Sequence, residues 1–132
     1  QIPRTAGGGP ASSPTGGFHW GPSVSWNTHL NCWVMLMGKV VGRSWVGGSM
    51  YISFNPHPDL GTSNNSQDWT TPQLLLDKPG HTMWYPSLQP LNTPEDIANK
   101  HTSLRLGKRA RLFFKYSDLG KYCSEYIIEF EK

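Results

Sequence analysis

A strand pattern occurs once in full and again in part along this chain of 132 residues. The full pass runs Gly21-Pro22-Ser23-Val24-Ser25-Trp26-Asn27, Cys32-Trp33-Val34-Met35-Leu36-Met37, Ser49-Met50-Tyr51-Ile52-Ser53-Phe54 and Trp69-Thr70-Thr71-Pro72-Gln73-Leu74-Leu75-Leu76. The partial pass runs Trp84-Tyr85-Pro86-Ser87-Leu88, Arg111-Leu112-Phe113-Phe114-Lys115-Tyr116 and Glu125-Tyr126-Ile127-Ile128-Glu129-Phe130. Both contain Pro-Ser followed by an aliphatic residue. Val24 and Trp26 alternate with Ser23 and Ser25, the period of a half-buried strand. The pattern predicts an all-β fold of two consecutive antiparallel meanders, four strands and then three, with far less helix than the ~30–35% of an ordinary domain.

A repeated meander is the mark of a β-propeller blade. Two blades are too few to close a propeller, so the pattern implies an incomplete propeller or one completed by an oligomer. Charged residues make up 16%, below the ~25% of a typical soluble domain. With Gly 14, Pro 11 and Trp 6, that balance suits many turns joined by short aromatic strands and does not suit long helices. Residues 1–17 are rich in Gly, Pro, Ser and Thr and cannot bury enough apolar surface to offset their ordering, so they read as an arm or linker. Residues 18–78 read as the first blade-like meander and 79–132 as the second. Val34, Leu36, Met50, Ile52, Leu112, Phe114, Ile127 and Phe130 are expected to exceed what one interface between two blades can bury. Self-association or missing propeller blades are therefore the expected partners.

Local signals place the turns. Asn31 falls between the first two strands, Gly42 and Gly47-Gly48 punctuate the third connection, and a polar loop spans 55–68. Pro72 suggests that the short strand after it lies at a sheet edge. Thr93-Pro94-Glu95-Asp96 reads as an N-cap with proline at the first helical position, predicting one helical turn through Ile97 and Ala98.

The net charge is +3, and Arg105, Lys108, Arg109 and Arg111 form the dense basic stretch. It reads either as a polyanion contact or as a solvated loop entering a strand. Aromatics do not interleave with it as in single-strand nucleic-acid binders, so no nucleic-acid partner is expected. No apolar run approaches the ~20 residues of a helical membrane span, and no membrane partner is expected. Cys32 and Cys123 allow either one disulfide or two free thiols. His19, His29, His57, His81 and His101 show no metal-ligand spacing; no metal and no cofactor is expected. Asp59 and Asp68 bracket a loop with Asn64 and Asn65 that suits turn chemistry better than a calcium loop. Asn64-Asn65-Ser66 matches the N-glycosylation acceptor pattern. Location is left open, a secreted or periplasmic one included.

The phrases Tyr51-Ile52-Ser53-Phe54, Asp59-Leu60 and Asp68-Trp69-Thr70-Thr71-Pro72 resemble an outer-strand signature of five-bladed β-propeller glycoside hydrolases. Gly21-Pro22-Ser23-Val24-Ser25-Trp26-Asn27 and Trp84-Tyr85-Pro86-Ser87-Leu88 are similar to blade openings in the same group, and the likeness covers roughly 18–132. It implies the last two blades of such a protein. Those enzymes carry carboxylates at the starts of their innermost strands, the acid often directly before an opening Gly-Pro. Here that position is Trp20, and its counterpart before Tyr85-Pro86 is Trp84. Neither can act as the general acid that glycosidic hydrolysis needs, so the chain is not expected to be a competent glycosidase alone. The family sometimes places a late-blade histidine near an axial ion, and His81 would match that position only loosely.

The inner-strand starts remain the candidate site. Phe18, His19 and Trp20 lie at one, and His81, Trp84 and Tyr85 at the other. Aromatic faces stack on sugar rings and imidazoles bond hydroxyls, which suits carbohydrate; packing between blades would use the same tryptophans. The functional expectation is a carbohydrate-binding, glycosidase-like propeller fragment. The alternatives are a self-assembling structural β module or a lectin-like oligomer of two-bladed subunits.

Overall fold

The computed structural model describes residues 17–41, 46–58 and 68–131. In chain order the elements are β1 (Gly17–Asn27), β2 (Cys32–Val41), β3 (Val46–Asn55), β4 (Gln73–Asp77), β5 (Met83–Gln89), α1 (Pro94–Ala98), β6 (Arg105–Leu106), β7 (Arg109–Tyr116) and β8 (Lys121–Glu129). One sheet has the order β4-β3-β2-β1-β6 and the other β5-β7-β8. The fold is all-β, and its main strands form antiparallel meanders of four and three. α1 is a five-residue turn with Thr93 as N-cap and a capping box to Asp96. β4 stands at an edge, as Pro72 suggests.

Two features depart from the sequence reading. β1 begins at Gly17, ahead of the Gly-Pro-Ser phrase, because Phe18, His19 and Trp20 pair with Val40, Lys39 and Gly38. The phrase itself is a bulge inside the strand. β6 is an addition: it runs parallel to β1 at the far edge of the first sheet. It is held where the Trp26 and Thr28 amides donate to the Leu104 and Leu106 carbonyls at 2.8 Å each. Two residues carry no alternation, so nothing local announced it.

Directly opposed residues share a sheet face. Cys32, Val34 and Leu36 of β2 turn toward the second sheet, while Met35 and Met37 turn away under Trp69. β2 is therefore buried on both faces, which accounts for its apolar run. In the second sheet Leu88, Ala110, Leu112, Phe114, Tyr116 and Cys123 turn toward the first. The two sheets share one core.

That core corrects the expected apolar surplus. Seven of the eight residues named for it are buried there, and Ile127 alone of the eight is exposed, at 51%. The sheets pack face to face, so each apolar row covers the other. Cys32 and Cys123 are both buried and free. Residues 1–16 of the expected 1–17 arm, Asp59 and Asn64-Asn65-Ser66 lie outside the described residues, and Gly17 belongs to β1.

Candidate functional site

The Pro-Ser phrase builds the same bulge twice. The register slips between Trp20 and Ser23 on β1 and between Trp84 and Ser87 on β5. In each bulge the residue before the proline has positive φ: Gly21 at 61° and Tyr85 at 55°. Glycine adopts this conformation without a steric penalty. For an L side chain the left-handed region costs roughly 1–2 kcal/mol. Tyr85 is 56% exposed, so burial offsets little of that strain. Its ring meets Trp84 edge-on, with centroids 5.8 Å apart. Trp84 is half-buried, and its indole Nε1 is buried with no hydrogen-bond partner.

β5 lies against β1, β2 and β3. The approach is closest at Gly38, where an added Cβ would stand 3.3 Å from the Met83 carbonyl oxygen and 3.8 Å from that of Trp20. Trp20 is opposite Gly38, so it turns toward the second sheet, and it is 37% exposed. The starts of β1 and β5 thus bring Trp20 to the same end as Trp84 and Tyr85.

His19 turns the other way. It packs edge-on against Tyr51 at 5.0 Å, and neither ring nitrogen has a partner. Burial, then the nearby Lys39 charge, lowers its pKa below 6.5. The folded chain therefore takes up this proton at lower pH than the unfolded one. The stability held by neutral His19 is intact above pH 6.5 and declines as pH falls below it. His19→Leu is expected to flatten that decline when denaturant midpoints are compared at mildly acidic and neutral pH. A wild-type midpoint with the same slope as the variant would contradict the assignment.

His81 precedes β5. Its Nδ1 lies 2.8 Å from Asp118 Oδ2, and Asp118 Oδ1 accepts the Thr82 amide at 2.8 Å. The Thr82 amide, then His81, hold the Asp118 carboxyl below its usual pKa. Asp118 was missing from the sequence reading. It sits in the β7–β8 turn, and only strand pairing carries that turn to the start of β5. Phe18 lies on β1 opposite Val40, and its side chain is outside the described residues.

A second histidine–carboxylate pair is structural. His101 Nδ1 lies 2.7 Å from Asp96 Oδ1, and both side chains are about nine-tenths buried. The imidazole rests on Gly107, where a Cβ would come within 2.6 Å of it. This pair fixes α1 to the segment that carries β6. The basic stretch is also engaged: Arg109 and Lys108 meet Glu129 at 2.8 and 3.8 Å.

Comparison of the chain with family models, with curated proteins and with solved structures gave no match.

Proposed function

We propose that the chain is a carbohydrate-binding module made of two propeller-like blades. The observation that carries this reading is Tyr85: a strained, exposed tyrosine whose ring meets Trp84, where the matching bulge has glycine. Strain kept at an exposed position points to function, because folding alone would favour glycine there. Tyr85 and Trp84 offer aromatic surface to a sugar ring, and the partly exposed His81 imidazole offers a hydrogen bond to a hydroxyl.

The blade reading is supported by the sense of the repeat. Ser23 lies opposite Leu36 and looks at the second sheet; its counterpart Ser87 lies opposite Phe113 and looks away from the first. Equivalent faces therefore point the same way around, as blades do about an axis, whereas a two-fold sandwich would turn them toward each other. The module is proposed to bind sugar without hydrolysing it. Indoles stand at both strand starts, and both oxygens of Asp118 are engaged.

Calorimetric titration with a panel of neutral and acidic oligosaccharides tests the proposal. Saturable binding to at least one class is expected. Absence of binding across the panel by a folded protein would refute it.

A further inference from the structure

One face of the second sheet has no sheet packed on it among the described residues. Its rungs pair β5 with β7: Trp84 opposite Lys115, Ser87 opposite Phe113, and Gln89 opposite Arg111. The matching rungs of the first sheet are Trp20 with Gly38, Ser23 with Leu36, and Ser25 with Val34. Lys115 thus stands where the first sheet has Gly38, and Arg111 where it has the core residue Val34. Cations at those places oppose a dry contact between sheets. Phe113, half-buried between them, keeps the face partly aromatic.

The two charges have no carboxylate partner among the described residues. Arg111 donates one N–H to the Ser124 carbonyl at 2.9 Å, and the Lys115 ammonium lies 5.8 Å from the Tyr122 ring centroid. Arg111 and Phe113 also line a hollow of about 360 Å³ with Gln89 and Asn92. At ~3.4 Å per residue, Lys115 and Arg111 are separated by ~14 Å along β7.

We propose that this face binds an acidic oligosaccharide bearing uronate carboxylates, lying from Trp84 and Lys115 down to the hollow at Arg111. The guanidinium can hold a carboxylate through paired N–H donors, and the ammonium acts as a second point charge. Phe113 and Trp84 cover the apolar faces of the rings between them, while Ser87, Gln89 and Asn92 meet hydroxyls. The inference rests on the carbohydrate reading and names its ligand class. Single-stranded nucleic acid also combines anions with stackable rings, but the neutral hydrogen-bonding side chains beside the two charges favour sugar.

Titrations of the full chain with a galacturonate trimer, a neutral galactose trimer and a thymidine oligonucleotide at two salt concentrations decide it. The uronate trimer is expected to bind about ten-fold or more tighter than the neutral trimer, the worth of a charge-assisted hydrogen bond. The oligonucleotide is expected to bind more weakly than the uronate. In Arg111→Gln/Lys115→Gln, checked for folding by thermal melt, the ratio of uronate to neutral affinity is expected to fall to about one. If the double variant does not fold, Lys115→Gln alone is expected to lower the ratio. Equal binding of the two trimers overturns this inference and leaves the carbohydrate reading standing; binding of neither also overturns it, and the wider oligosaccharide panel then decides the carbohydrate reading. An oligonucleotide bound as tightly as the uronate trimer overturns it in favour of a general polyanion surface.

Discussion

Phe114→Ala is expected to remove about 3–5 kcal/mol of stability, a large share of the ~5–15 kcal/mol a domain holds. Phe114 is fully buried at the centre of the core shared by the two sheets. Its ring meets Tyr116 edge-on at 5.0 Å and stacks with Tyr126 at 6.2 Å. The β7 backbone around it is fixed by ladders on both sides, so the cavity left by truncation cannot collapse. Urea unfolding followed by tryptophan fluorescence measures the loss. A change below about 1 kcal/mol, ordinary for a surface substitution, would show that the two sheets do not share this core.

Gly48→Ala is expected to destabilise the fold by steric overlap rather than by a cavity. A Cβ at Gly48 would stand 2.3 Å from the Lys78 carbonyl oxygen and 2.8 Å from that of His81. Both obstacles are backbone, so relief requires the 78–81 turn to move as a unit. The Lys78 amide donates to the Gly48 carbonyl at 2.6 Å, and that bond is strained with it. Overpacking of this kind costs about 1–3 kcal/mol. Gly80→Ala provides a comparison: φ is 85° but nothing lies within 4 Å of the added atom. It should show only the strain of the left-handed backbone, about 1 kcal/mol. Amide spectra distinguish the two, because only Gly48→Ala should displace the Thr82 amide from Asp118. An unshifted Thr82 signal in Gly48→Ala would contradict the geometry.

The meanders were legible because alternation records one buried face, as with Met50 and Ile52. The apolar run of β2 was legible as a strand, but not its burial on both faces: that depends on Trp69 folding back over Met35 and Met37. The capped turn at Thr93 could be read locally, since its hydrogen bonds span three residues. The site was less accessible. Its candidates came from the positions of strand starts, whereas the facing of each side chain depends on the bulges at Gly21 and Tyr85. A bulge reverses the alternation after it, so His19 and Trp20 could not be assigned to faces from the sequence. Asp118 and His81 are brought together only through the β5–β7 register. The charges of Arg111 and Lys115 were visible, but not that they line one open face with Phe113.

On the proposed reading, Tyr85 is kept in a strained conformation for the sake of a sugar ring. Tyr85→Gly tests it most directly, with stability and oligosaccharide affinity measured on the same preparation. Glycine removes the roughly 1–2 kcal/mol left-handed penalty and loses little packing from an exposed ring. Stability should hold or rise by up to about 1 kcal/mol while affinity falls about five-fold or more, the loss of one stacking contact of ~1 kcal/mol. A less stable variant with unchanged affinity would mean that Tyr85 serves the fold, and would contradict the account.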